Sequence, residues 1–387
     1  MTKIKTLGIS LAVVTALSFG GCGSSSSDTT PASGENIVTS KSYNGAGSRW
    51  DLNFKSDGNA TIKELDSNLE INATYEDLAS GFRKIIVTSS NDSNIANGTV
   101  SYGFELPDYM FSFVAFNENK LIPTVTKGSC PTENIKHNYI TSFAKSNTKN
   151  DSSIASFDSW GTFGYWSTTS NSTQIEVFKR DGTRPDDGGQ HTLNYNIVSK
   201  NCSNGSFYDP VGDPTDNYRA ETTAYFTKAG GLIWHQKGLG NTVGDRKNDR
   251  IENDFMIPYE ANLNSINQID GNYIGYVISG NGQSNIGYTN IPVSVVATNG
   301  ALVVKDINVT SGVIGNKISD ISLTTEVTGT KGLWRGQITN VNPSGTDGIG
   351  CAIDLDAAGS GKNVIICGGM LPDGTNKKLY SLILVSK

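Results

Sequence analysis

Histidine is scarce in this chain: His137, His191 and His235 are all it has in 387 residues. No H-E-x-x-H pair occurs and no two cysteines are spaced C-x-x-C, so the common sequence marks of zinc sites are missing. No G-x-S-x-G elbow is present either. Catalytic triads and paired carboxylates are recognised by geometry, so a hydrolase stays open on Glu221, Glu252 or Asp254, but no residue pattern singles these out. His191 reads as a solvated loop residue and His235 as a half-exposed strand residue, and Cys130 with His137 is too sparse a pair to hold a metal. Basic residues are the minority, 31 Lys and Arg against 37 Asp and Glu. They form no stripe that could neutralise a phosphate backbone, which excludes nucleic acid as a partner. Beyond residue 19 no apolar run approaches the roughly 20 residues that a membrane-spanning helix needs.

What is present begins at the N-terminus. Lys3 and Lys5 form a basic head, Ile4 to Phe19 is apolar or small, and Gly20-Gly21 leads into Cys22. This order describes a secretory signal peptide. The apolar stretch is short for a membrane span and is interrupted by Gly8, Ser10 and Thr15. Gly23 to Glu35 (GSSSSDTTPASGE) is too polar to offset the entropy of ordering and reads as a tether. Removing Lys3 and Lys5 with the leader leaves 29 basic against 37 acidic side chains, a net charge of about −8.

With its small pair directly before Cys22, the leader resembles a bacterial lipoprotein signal, although Phe19 stands where leucine is usual. The resemblance implies cleavage before Cys22 and lipid (palmitate) modification of that residue. It also implies attachment to the cell envelope, with the outer membrane ahead of the inner. One acyl chain holds a protein only marginally and two or more hold it firmly, the second case being that of lipoproteins.

The rest of the chain reads as all-β. Its hydrophobic share of 36% is low until its 43 glycines are added, and glycine at that level marks many turns. Runs such as Arg49–Lys55 alternate, with Trp50, Leu52 and Phe54 on one face, and Asp57-Gly58 supplies a hairpin turn. Asn134–Ala144 is the single stretch with a helical aspect. Arg180–His191 and Tyr208–Asp216 are loops. The carboxylates within Asp181–Asp187 and Asp209–Asp216 lack the order of a calcium loop and read as solvated turns. The expected organisation is a signal peptide (1–21), a lipidated cysteine and tether (22–36), an N-terminal β-domain of one or two sheets (37–258), a linker (259–265) and a C-terminal antiparallel β-domain (266–387). The last carries eight strands on short loops, including a three-residue loop Thr298-Asn299-Gly300, and should close as a barrel or pair as a sandwich.

Three phrases echo one another: Trp160-Gly161-Thr162-Phe163-Gly164-Tyr165, Asn272-Tyr273-Ile274-Gly275-Tyr276 and Leu333-Trp334-Arg335-Gly336. An aromatic followed closely by glycine suits a sharply bent strand whose ring plugs a barrel end. The pattern resembles the first strand of lipocalin-like (calycin) barrels. That resemblance implies a carrier of an apolar small molecule, with Val295, Val303 and Ile338 lining a hollow interior.

Setting Cys22 aside leaves Cys130, Cys202, Cys351 and Cys367, an even number in a chain exported to an oxidising space. A hairpin about Gly359 opposes residues whose numbers sum to 718, which sets Cys351 against Cys367 and Ile353 against Ile365 on one face. Cys130–Cys202 follows by elimination. Trp160, Phe163, Tyr165 and Trp166 form the densest aromatic group: Trp160 and Trp166 share one strand face, Phe163 and Tyr165 the other. Such a strand is covered on both sides, or offers a platform for a glycan or apolar ligand. The function these features suggest is non-catalytic binding at the envelope, without cofactor or metal, toward a glycan, an apolar ligand or an envelope protein.

Overall fold

The computed structural model describes residues 37–41, 49–64, 67–116, 121–126, 128–132, 136–147, 157–159, 163–168, 173–178, 190–193, 202–203, 205–209, 220–238, 251–280, 288–328, 330–340, 345–373 and 376–387. The chain is all-β, and its strands form three antiparallel sheets.

The first sheet is an eight-stranded meander: β1 (Ile37–Lys41), β2 (Arg49–Phe54), β3 (Asn59–Glu64), β4 (Leu69–Asp77), β5 (Arg83–Ser90), β6 (Val100–Leu106), β7 (Met110–Val114) and β8 (Leu121–Val125). Between β2 and β3 the chain turns at Gly58, whose φ of 82° glycine adopts freely, and Asp57 Oδ1 accepts the Asn59 N–H at 2.9 Å. Trp50, Leu52 and Phe54 all point into one apolar cluster with Phe111 and Phe113. Arg83 lies 4.7 Å from the Phe54 ring centre and 4.6 Å from that of Tyr75, and Asp77 accepts two of its N–H groups at 2.7 and 3.0 Å. Stacking plus a bidentate carboxylate is how a guanidinium is kept near an apolar core. The sheet curls until β1 approaches β8, yet the two do not ladder. Pro123 in the middle of β8 has no N–H to give, which suits it to an edge.

The second sheet runs β13 (Gln190–Leu193), β12 (Thr173–Phe178), β11 (Phe163–Thr168), β9 (Lys136–Asn147), β17 (Ile251–Pro258), β16 (Leu232–Gly238), β15 (Ala220–Phe226), β14 (Ser206–Asp209), with β10 (Phe157–Ser159) also on β9. The segment with a helical aspect, Asn134–Ala144, is corrected here: it lies largely in β9, the strand that joins the two halves of this sheet. Tyr139 and Ile140, neighbours in sequence, enter apolar clusters on opposite faces. A strand buried on both faces has no polar alternation, so its pattern imitates a buried helix.

The third sheet is a closed barrel of β18 (Gly271–Gly280), β19 (Tyr288–Thr298), β20 (Ala301–Ile307), β21 (Ile314–Glu326), β22 (Leu333–Asn340), β23 (Gly345–Asp354), β24 (Val364–Asp373) and β25 (Asn376–Ser386). Thr298 pairs with Ala301, so the loop between β19 and β20 has two residues, not three. Asn299 and Gly300 both take positive φ, 48° and 80°, as a two-residue hairpin of this hand requires. Two of the aromatic–glycine phrases fall on the inner wall. Tyr273 is fully buried there, its hydroxyl donating to the Ile269 carbonyl at 2.7 Å, and Trp334 packs against the same interior. Two residues after each ring, a Cβ on Gly275 would overlap the Ile383 carbonyl oxygen, and one on Gly336 that of Ser322. Glycine lets the neighbouring strand cross close beside each ring.

The three sheets share one core. The barrel's outer wall gives Ile274, Tyr276 and Ile383, the first sheet Phe82 and Phe104, the second Ile140 and Phe255, all in one cluster. Phe82, Phe104 and Tyr276 meet with ring centres 5.4 to 6.1 Å apart. Each such side chain contributes about 1.5–3 kcal/mol on burial. Exposed pairs such as Lys63–Glu70 (3.1 Å, side chains 41% and 49% exposed) contribute at most about 1 kcal/mol. Apolar burial therefore dominates the assembly of the three sheets.

Gly275→Ala should lower unfolding free energy by more than about 3 kcal/mol, because the clash is with backbone. Gly98→Ala, at φ 85° but with open space around it, should lose about 1–2 kcal/mol. Denaturant unfolding of both variants checks the contrast.

Candidate functional site at the junction of three sheets

Cys22 and Trp160 lie outside the described residues. Phe163, Tyr165 and Trp166 lie on β11, where they pair with Ile140, Asn138 and His137 of β9. Ile140 belongs to the core shared with the barrel and Tyr139 to a second apolar cluster with Trp234 and Met256. The strand beside these aromatic positions is thus buried on both faces.

The structure holds Cys130–Cys202 and Cys351–Cys367 as disulfides. Cys351 pairs with Cys367 and Ile353 with Ile365, and all four side chains are buried inside the barrel. Cys130 and Cys202 are half-buried. Bonded to Cys202, Cys130 is not available with His137 for a metal.

Among the described residues, the barrel interior is closely packed. Val295, Val304, Ile321, Ile338, Ile365 and Leu382 are each at most 1% exposed and belong to one cluster. A side chain facing a water-sized hollow would retain exposure to it, and eight strands enclose only enough room for side chains or one small ligand. Val303 corrects the expected lining: on β20 it alternates with buried Leu302 and Val304 and points outward, where it pairs with Val296, 46% exposed.

Among the described residues, the most concentrated buried polar chemistry lies where the sheets meet. Tyr109, in the turn between β6 and β7, donates its hydroxyl to Asp354 Oδ2 at the end of β23, at 2.6 Å. Its ring presses on Gly231 of the turn between β15 and β16, where a Cβ would overlap it. Glu260, 8% exposed in the connection to the barrel, accepts the Asn262 N–H at 2.7 Å and the Leu355 N–H at 3.1 Å. Burial pushes the Asp354 carboxyl up to about 6; Tyr109 donation opposes this, and Glu260 beside it adds to it. Burial likewise holds the Tyr109 phenol well above its usual range.

One turn away, His137 is 2% exposed with Nε2 2.8 Å from the Gly230 carbonyl, so the proton sits on Nε2. Its Nδ1 is buried without a hydrogen-bond partner, and burial lowers the imidazole to about 4. Asn138 donates to the Lys331 carbonyl of the barrel at 2.6 Å while its Oδ1 is unpartnered. None of Tyr109, Glu260, Asp354 or Asn138 stands out in the sequence. The only hint is a carboxylate, Asp354, directly after the apolar run Ala352-Ile353.

Reductant applied to the native protein should open Cys130–Cys202 first and leave Cys351–Cys367 intact until unfolding, as read by alkylation and mass spectrometry. Unfolded histidine binds a proton below about 6.5 that folded His137 takes up only near 4. The folded state therefore loses stability as pH falls through that window, by up to about 3 kcal/mol. His137→Gln should remove this component, measured by unfolding midpoints at pH 7 and 4.5.

No protein-family model and no curated protein matches the chain. A solved structure with some likeness is that of the vaccine antigen Transferrin Binding Protein B, mutant Trp-176-Ala, from Haemophilus parasuis Hp5, at 11% identity and a TM-score of 0.27. The match covers 88% of this chain and 66% of that one, just under two thirds of its length.

Proposed function

We propose that the chain is a lipid-anchored protein of the bacterial cell envelope that binds a partner without catalysis. The observation that carries the reading is the leader: a basic head, an apolar stretch and Gly20-Gly21 directly before Cys22, followed by a serine-rich tether. In this reading residues 1–21 are removed, Cys22 carries palmitate, and 22–36 hold the body off the membrane. Residues 37–258 and 266–387 are the two β-domains, joined by 259–265, and the address is the outer membrane.

The packed barrel favours binding at an outer surface over carriage inside. A lipocalin-like carrier needs room that Val295 and Ile338 already fill. The partner is then a glycan or an envelope protein, and the aromatic group Trp160, Phe163, Tyr165 and Trp166 is the contact we assign to it.

Feeding an alkyne-tagged palmitate to bacteria that express the full chain should label the wild type and leave Cys22→Ser unlabelled and released from the membrane fraction. A Cys22→Ser protein that stays labelled and membrane-bound overturns the reading.

A further inference from the structure

The register of the second sheet divides the aromatic group between two faces. Trp166 stands in a row with His137 of β9, Ile175 of β12 and His191 of β13, and Gly164 stands in a row with Tyr139 and Val177. Cross-strand partners share a face, so that face is apolar apart from its histidines. Tyr165 belongs to the opposite face. Its row runs Asn138, Tyr165, Glu176, Gln190 across β9, β11, β12 and β13, and the next row runs Lys136, Ser167, Gln174, Thr192. We propose that these two rows are the floor of a binding site for a neutral oligosaccharide, at the corner between the second sheet and the barrel.

The corner arises where a round wall meets a sheet. β9 and β11 lie against β23 and β24 of the barrel. Asn138 is fully buried there and donates to the Lys331 carbonyl, in the turn between β21 and β22, at 2.6 Å. Lys136, two residues away on the same face, is exposed, so the cover ends between the two rows. β12 and β13 lie about 5 and 10 Å beyond β11. A closed barrel curves away from a sheet beyond their line of contact, and the gap widens over these outer strands. The two rows span about 14 Å across the strands and about 7 Å along them, roughly the area of two sugar rings.

The chemistry of the rows selects the ligand. Asn138, Gln174 and Gln190 are amides, and Tyr165, Ser167 and Thr192 carry hydroxyls, so each side chain can both donate and accept. A sugar hydroxyl does the same, and the C–H face of a pyranose packs on an aromatic ring such as that of Tyr165. Among the described residues nothing donates to Asn138 Oδ1, so the first row starts with an acceptor the protein does not use. Formal charges cancel: Glu176 against Lys136 on the floor, and Lys331 3.6 Å from Glu326 beside it. An anion would need an excess of cations, and an apolar ligand would strand these polar groups. Protein interfaces favour Trp, Met and Arg and are poor in Glu, Lys and Ser, the reverse of these rows. An added strand would join a sheet edge rather than lie on a face.

This inference rests on the aromatic group being the contact and narrows it: Tyr165 faces the ligand, and Trp166 lies on the other side of the sheet.

The test is isothermal titration of the full chain, in a detergent without a sugar headgroup, with maltohexaose, cellohexaose, xylohexaose and mannohexaose, and with hexagalacturonate as an anionic control. At least one neutral hexamer should bind saturably, and hexagalacturonate should not. Glu176→Ala should weaken that binding about tenfold and Gln190→Ala about fivefold, while Trp166→Phe stays within about twofold of the wild type. Gln190, on the outermost strand, serves if Glu176→Ala does not fold. No saturable binding of any neutral hexamer overturns the proposal. So does a preference for hexagalacturonate, or binding that Glu176→Ala and Gln190→Ala leave unchanged. Palmitate labelling of Cys22 is a separate readout, so the lipid-anchored reading can fail or hold whatever the titrations give.

Discussion

One side of the barrel's outer wall is buried, and much else follows from that constraint. In a free-standing closed sheet one face packs inward and the other meets water. Here β18 and β23 to β25 are buried on both faces, inward among Tyr273, Ile365 and Leu384 and outward against two further sheets through Tyr276, Ile366 and Ile383. This explains why Leu379–Val385 lacks polar alternation, with Ser381 as its small buried exception. Side-chain packing on both faces also leaves little freedom for the strands to slip in register.

Burying so much wall carries polar groups with it. A seam between sheets cannot be wholly apolar where chain ends and turns enter it, and each trapped group must find a partner or lose stability. Tyr109 donates to Asp354, and Glu260 accepts the Asn262 and Leu355 N–H groups. His137 and Asn138 are satisfied only in part, each leaving one buried atom unpaired. The two ionisable sites respond to acid in opposite directions, so the whole molecule can show a flatter pH profile than either part.

Much of the fold was legible because strands with one wet face announce themselves. Trp50, Leu52 and Phe54 alternate, Asp57-Gly58 marks its turn, and the sum of 718 pairs Cys351 with Cys367 because side chains repeat every two residues. The failures share one feature, a stretch without regular polar punctuation. In Asn134–Ala144 burial on both faces removes the alternation on which such reading relies, and at Val303 three successive apolar residues, Leu302 to Val304, hide which of them point inward. The site was not legible for a different reason. Tyr109, Glu260 and Asp354 come from three distant parts of the sequence, and none belongs to a spaced motif. Only the packing of the sheets brings them together.

Separating the barrel from its partners tests this dependence most directly. Residues 259–387 expressed alone should expose the apolar wall, and so bind a hydrophobic dye, associate, and lose the cooperative unfolding of the full chain. A monomeric fragment that unfolds cooperatively at the full chain's midpoint, with no exposed apolar surface, would contradict the claim that the shared wall holds the structure together.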